Sequence, residues 1–321
     1  MPATSTRRRT RRAAPAGVGS VAAQSTAAQS TGAAPGAPAQ LIYVYAVLAA
    51  EQAAGVLDRG EVRGIGGASV SRLAAGDLAA AISLVPAAEF DEEPLNRLMR
   101  DLAWLGPQAA AHQAVNARLF AGADAILPLA FGAIFRSPDR VVQVLRRRRG
   151  ELLARLEAVR GREEWVASLR CVEAQALAAA AAQSEAVWRL EAERAASPPG
   201  RAYLLARRLA DLRREEVRRL EAEAVEAFSA LAGRVAERVH AEPVAAEAAL
   251  AGGSGRVVAR LSLLVPRSDG GALQAGFEPF TREWGPRGFA VELTGPWPPY
   301  RFGGLQLAAV EQGQPARAGA R

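Results

Sequence analysis

Leu41-Ile42-Tyr43-Val44-Tyr45-Ala46-Val47-Leu48 is an unbroken apolar run rich in aromatic and β-branched side chains. That composition over that length forms a strand, and apolar residues at both parities predict a central one, covered on each face. The chain before it is different. Residues 1–40 are mostly Ala, Ser, Thr, Gly, Pro and Gln, with Arg7, Arg8, Arg9, Arg11 and Arg12 and no acid. Such a segment buries too little apolar surface to offset its ordering entropy, so 1–40 is expected to be a disordered basic arm. It is either an arm that touches an acidic partner or a solvated extension.

Downstream of the strand, Gly64, Gly66 and Gly67 mark a turn, and 68–73 and 77–85 read as strands joined at Ala75-Gly76-Asp77. Asp91-Glu92-Glu93-Pro94 combines a capping acid, first-turn negative charge and an early proline, which start a helix. Leu95, Leu98, Leu102, Leu105, Val115 and Leu119 follow at helical spacing, and Gly106-Pro107 predicts a kink or two abutting helices. An apolar extended segment at 125–135 comes next. Ser137-Pro138-Asp139 then caps a helix bearing Val141, Val144, Leu145, Leu152 and Leu156, which Gly161 ends.

A second unit follows. Residues 165–169 read as a strand and 171–196 as an Ala-rich helix closed by Ser197-Pro198-Pro199-Gly200. A long helix is expected over 201–240, its apolar stripe running from Leu205 and Leu209 to Val235 and Val239, with Arg and Glu elsewhere. The two helices would form an antiparallel hairpin. After Gly252-Gly253-Ser254-Gly255, a strand at 256–265, a helix at 271–285 and a strand at 289–293 complete the order strand, two helices, strand, helix, strand. The fold class is α+β, with helices covering one face of a small sheet. No 20–50-residue repeat is visible.

Composition narrows the function. With 321 residues, 50% of them hydrophobic, the chain can bury one large core or two modest ones. The net charge is +7, but the five arginines of the arm account for most of it. The rest mixes Arg with Glu and no Lys, so a nucleic-acid partner is not expected. Cys171 is the only cysteine, which excludes an intramolecular disulfide and a thiolate metal cage. No apolar run approaches the roughly 18 residues of a membrane span. The twin arginines lack the apolar segment of a secretion signal, so a cytoplasmic, non-membrane protein is expected.

Catalytic groups are scarce. His112 and His240 lie on separate expected helices, His112 as a polar or packing residue and His240 as a helix C-terminal one. Gly64-Ile65-Gly66-Gly67 lacks the Lys-Ser/Thr of a phosphate loop and reads as a turn. Asp91, Glu92 and Glu93 are accounted for by the helix start, and Cys171 reads as a buried structural thiol. No nucleophile, base and oxyanion set emerges, so no enzyme, cofactor, metal or small-molecule substrate is expected. The distinctive segment is Leu293-Thr294-Gly295-Pro296-Trp297-Pro298-Pro299-Tyr300-Arg301-Phe302, too proline-rich to continue as a central strand. Trp297, Pro298, Pro299 and Tyr300 form either a protein-binding surface with aromatic anchors or a lid on the domain's own core.

That segment resembles the gas vesicle protein F/L family (GvpF/GvpL), and so do four other stretches. They are Tyr43-Val44-Tyr45; Asp101-Leu102-Ala103-Trp104-Leu105 with Pro107, Ala109, Ala111-His112 and Ala114-Val115; Leu127-Pro128-Leu129 with Phe131-Gly132 and Ile134-Phe135; and Gly200-Arg201-Ala202-Tyr203-Leu204-Leu205. The resemblance spans about residues 41–303, and departs from the family in the arm and at Arg301. It implies two domains, an N-terminal α+β domain at 41–161 and a C-terminal ferredoxin-like domain with the helical hairpin at 162–305, followed by a flexible tail at 306–321. It further implies a non-catalytic accessory or minor structural protein of gas vesicle assembly, whose partners are the shell protein and other gas vesicle proteins. The rival expectation is a helical adaptor or regulatory protein unrelated to gas vesicles.

Overall fold

The first half of the chain is built on β1 (Gln40–Ala49), β2 (Ser71–Ala75), β3 (Leu78–Pro86) and two short strands, β4 (Leu127–Pro128) and β5 (Ile134–Phe135). β1 is central as its composition demands. It pairs antiparallel with β3 on one side and with β4 and β5 on the other, in the order β2-β3-β1-β4. The computed structural model describes residues 40–244 and 255–305. The expected arm at 1–40, apart from Gln40, and the expected tail at 306–321 lie outside the described residues.

A register shift between Val44 and Ala46 changes the parity of β1. Leu41, Tyr43 and Tyr45 therefore share a face with Ala46 and Leu48, while Ile42, Val44 and Val47 face the other way. Over the first face lie α1 (Ala50–Leu57), α2 (Ala87–Phe90), α3 (Glu92–Leu98) and α4 (Leu102–Gly122), through Ala53, Val56, Phe90, Leu95, Val115 and Leu119. Over the second lie α5 (Pro138–Arg147) and α6 (Arg149–Val159), through Val141, Val144, Leu145, Leu152, Leu156 and Val159. The sheet is thus the middle of three layers. Each fully buried Val, Leu or Ile contributes about 1.5–3 kcal/mol, which is why a run apolar at both parities must lie between helices.

The expected helix starts are present. Asp91 Oδ1 accepts from Glu92 N at 3.0 Å, Asp101 Oδ1 from Ala103 N at 2.9 Å and Ser137 Oγ from Arg140 N at 3.4 Å. Two boundaries differ from expectation. α4 runs unbroken through Gly106-Pro107, because the proline sits in the second turn and removes one backbone bond near a helix end. The helix expected after Ser137 instead divides at Arg148.

The second half contains β6 (Arg162–Cys171), α7 (Glu173–Gln183), α8 (Glu185–Ala195), α9 (Pro199–Val235), β7 (Arg238–Glu242), β8 (Arg256–Pro266), α10 (Leu273–Trp284), β9 (Phe289–Trp297) and α11 (Tyr300–Gly303). Its strands form an antiparallel sheet in the order β7-β8-β6-β9. Ala167, Leu169 and Cys171 of β6, Leu261, Leu263 and Val265 of β8 and Phe289 of β9 face the helices. The alternate residues Ser168, Arg170, Ser262 and Glu292 make the other face polar, where Arg170 Nε donates to Glu292 at 2.7 Å.

Three expectations are corrected here. His240 is not a helix C-terminal residue: α9 stops at Val235, Ala236 is extended, and Val239 and His240 pair with Leu263 and Ser262 in β7. The order is therefore strand, three helices, two strands, helix, strand, since 171–196 also splits at Ser184, which caps α8. Finally, β9 continues through Pro296 to Trp297. It lies at the sheet edge, where a missing N–H breaks no ladder.

Candidate functional site

Between the two sheets the chain returns on itself. After β9, residues 298–305 cross back to the first half. Leu305 N donates to Pro128 O at 3.0 Å and its side chain joins the core over β1. Pro298 and Pro299 are buried and Tyr300 is half-buried, its hydroxyl accepting from Asn116 Nδ2 of α4 at 3.0 Å. Trp297, at 39% exposure, is the member of the four that reaches solvent. Arg301 is tied down twice, its N–H donating to Glu164 Oε2 at 2.7 Å and its guanidinium pairing with Glu242. A second tie comes from Arg267, which donates to Phe120 O at 2.9 Å and Ala123 O at 3.0 Å. It caps the last turn of α4, and its guanidinium lies 4.1 Å from the Phe120 ring centroid.

Tyr300 meets a buried polar network that connects α4 to the first sheet. Tyr43 OH lies 2.8 Å from His112 Nδ1 and accepts from Gly132 N at 3.2 Å, and His112 Nε2 lies 3.2 Å from Leu129 O. Asn116 lies 3.0 Å from the same Nε2. Rings of Tyr43, Tyr45 and Phe131 enclose the imidazole. Burial pushes His112 down to about 4, so it stays neutral near pH 7 and is enclosed rather than presented to a substrate. Tyr43 and Tyr45 are raised by burial for the same reason. His112 is thus a packing residue, as its place on the helix suggested.

The remaining sequence candidates are structural too. Gly64-Ile65-Gly66-Gly67 forms a single 3-10 turn in which Ile65 N donates to Tyr45 OH at 2.9 Å. Tyr45 OH in turn donates to Ser83 Oγ at 3.0 Å. A Cβ at Gly64 would lie 2.8 Å from Tyr45 Cζ and 3.0 Å from Val70 Cγ2. Gly64→Ala is therefore expected to lose about 1–3 kcal/mol by overpacking. Gly55→Ala, at an open position of α1, should be neutral or stabilising. Urea midpoints of the two variants test this, and equal midpoints would refute the tight turn.

Asp91 caps α3 and pairs with Arg136 at 2.9 Å. Cys171 is buried and its thiol is pushed up to about 12, by burial first and then by Glu221. Among the described residues, no group of three His, Cys, Asp or Glu side chains is placed to hold a metal ion, and no helix is long and apolar enough to cross a membrane. The grooves among the described residues include one of about 320 Å³ floored by Leu95, Met99, Phe131 and Phe135, and one of about 430 Å³ beside Tyr300 and Arg301.

Sequence reading missed the largest exposed apolar side chains of the helical hairpin: Trp188 on α8 and Tyr203 and Leu204 on α9. The signal was available, because Leu205, Leu209 and Leu212 define the inner face and place 203 and 204 off it.

Comparison with known proteins gives a consistent result. The family model described as gas vesicle synthesis protein GvpL/GvpF matches residues 41–303. Gas vesicle protein L of Streptomyces sp. (strain CB03234) is 35% identical over 280 residues, covering 86% of this chain and 98% of that protein. The crystal structure of GvpF from Anabaena sp. PCC7120 superposes with a TM-score of 0.63 at 13% identity, covering 83% of this chain and 99% of that one. GvpF from Microcystis aeruginosa gives 0.56 at 17% identity, with the same coverage of both chains.

Proposed function

The chain belongs to the gas vesicle synthesis protein GvpL/GvpF family, and on that premise we propose that it is a non-catalytic accessory or minor structural protein of gas vesicle assembly. It acts in the cytoplasm, at gas vesicles, by binding the main shell protein and other gas vesicle proteins. The observation that carries the reading is the extent of the match, which takes in both sheets and the returning segment up to Gly303. The rival reading, an adaptor unrelated to vesicles, has no comparable support. The physical rationale is that a small, strongly apolar shell subunit aggregates when free, and a binder holds or orients it at the growing wall.

The second half is read as a ferredoxin-like domain at 162–305. Its support is the βαββαβ order and the antiparallel arrangement β7-β8-β6-β9. The α+β domain at 41–161 is supported by two hydrophobic clusters on either face of its own sheet. Within the aromatic–proline segment, docking falls to Trp297, since its three neighbours face inward.

Deleting the gene in the native host should abolish or malform vesicles in electron micrographs, and the intact gene should restore them. Complementation by Trp297→Ala should be impaired while its melting temperature stays that of the parent protein. Normal vesicles in the deletion strain would sink the assembly reading. Full complementation by Trp297→Ala would sink only the role given to that residue.

A further inference from the structure

Two different environments share the α9 helix. From Val217 to Ala232 its buried side chains pack on the second sheet, whereas Leu205 and Leu209 pack on Val187 and Leu190 of α8. At 37 residues and about 1.5 Å per residue the helix is about 55 Å long. Its first turns therefore belong to a two-helix arm rather than to the sheet layer. On this arm Tyr203 and Leu204 are 65% and 64% exposed. Exposed apolar side chains held side by side on a rigid helix mark an interaction surface more than a folding requirement.

Charge gives the surface its character. Arg207 follows Tyr203 by four residues and Leu204 by three, and Arg208 follows Leu204 by four, so both guanidinium groups border the apolar pair. Four other cations of the arm are matched, Arg189 with Glu185, Arg201 with Glu193, Arg213 with Glu191 and Arg214 with Asp211, while Arg194 at the end of α8 makes no ion pair among the described residues. Arg207 and Arg208 are exposed and make no ion pair among the described residues.

We propose that this face of α9 docks a partner protein through an amphipathic helix whose apolar stripe is bordered by carboxylates. The inference rests on the accessory-protein reading above and assigns it a surface. Unmatched arginines around an apolar pair select acidic borders by complementarity. A second copy of the same face would bring the same arginines together, and like charges oppose that pairing. The chain's own 1–40 segment carries only positive charge, and 306–321 sets Glu311 against Arg317 and Arg321. Neither supplies the acidic border.

The test places a photoreactive benzoylphenylalanine at position 203 of the full chain in vesicle-forming cells, with the same group at Glu278 on α10 as the reference site. The expected result is an adduct to a different protein, whose cross-linked peptide is net acidic with apolar residues three and four apart. Combining Arg207→Glu with Arg208→Glu should cut its yield at least about tenfold without changing the melting temperature. An adduct only to a second copy or to a segment without carboxylates would overturn the inference. So would a yield no higher than at position 278, or one indifferent to the charge reversal. Vesicle scoring separates the two levels. A strain that needs the gene but forms normal vesicles with the charge-reversed variant overturns this surface alone. Normal vesicles without the gene overturn the assembly reading beneath it.

Discussion

Phe228→Ala should lower the unfolding free energy by about 3–5 kcal/mol, whereas Tyr203→Ala, on the same helix, should stay within about 0.5 kcal/mol of the parent. Phe228 is fully buried, with ring centroids 5.6 Å from Phe277 and 5.8 Å from Phe280. It holds α9 and α10 together over β6 and β8, and truncation removes both its transfer energy and its packing partners. Against a total stability of roughly 5–15 kcal/mol, a loss of that size is a large fraction. Tyr203 has little to lose on unfolding because it is already in water. Urea melts of the two variants, followed by helical circular dichroism, read the difference directly. Comparable losses would mean that the first turns of α9 are part of the folding core, and the docking arm would have to be abandoned. The expected split instead assigns one end of a single helix to stability and leaves the other end free to bind.

The sequence made the architecture legible where burial controls local structure. The 41–48 run is apolar at both parities and became the central strand. Strand 256–265 and helix 271–285 also fell within a few residues of β8 and α10. What escaped was set by tertiary pairing. Arg238-Val239-His240-Ala241-Glu242 is a polar, exposed edge strand, and its valine extends the apolar stripe of α9 in register. Gly233, in the last turn of α9, is the one weak local signal, and the ladder to β8 decides the break. The break between α5 and α6 at Arg148 has Gly150 two residues beyond it, a poor helix former that the apolar spacing overrode in the sequence reading. Ser184 was a missed cap, since its hydroxyl accepts from Val187 N at 3.3 Å.

Side-chain chemistry was harder to read than architecture. Tyr43 and His112 are 69 positions apart and meet only because α4 lies over β1. Tyr43 and Tyr45 share a face of β1, and two buried hydroxyls require partners that a strand pattern does not name. In the same way, which of residues 297–300 face solvent and which face inward depends on where the chain goes after β9, which is a matter of topology. The resemblance carried the family, while the geometry carried the division between an exposed Trp297 and its buried neighbours.

Acidification from pH 6.5 to pH 5 should leave two large and opposite contributions to stability nearly cancelled, and single substitutions should expose each of them. Glu164 is raised from 4.5 to about 7, by burial first, against the backbone N–H groups of Arg301 and Phe302 and the Arg301 charge, with Glu242 adding to the rise. Its contribution is complete below the unfolded value and is lost as pH climbs through about 7. His112 is lowered from 6.5 to about 4, so its contribution is present above 6.5 and is lost as pH falls through about 4. Between pH 5 and 6.5 the folded Glu164 holds a proton that the unfolded chain has mostly released, while the unfolded His112 takes up a proton that the folded ring refuses. Each contribution is worth about 1.5 kcal/mol over that interval, with opposite signs. Glu164→Gln removes the first contribution and leaves the second. That variant should lose about 1.5 kcal/mol on going from pH 6.5 to 5, and His112→Gln should gain a similar amount over the same range. Comparing slopes within each variant keeps the test independent of any fixed cost of the substitution. Flat profiles in both variants would show that neither group is buried against its charge. Slopes of the same sign would refute the assignment of a protonated carboxyl and a neutral imidazole to the folded state over that interval.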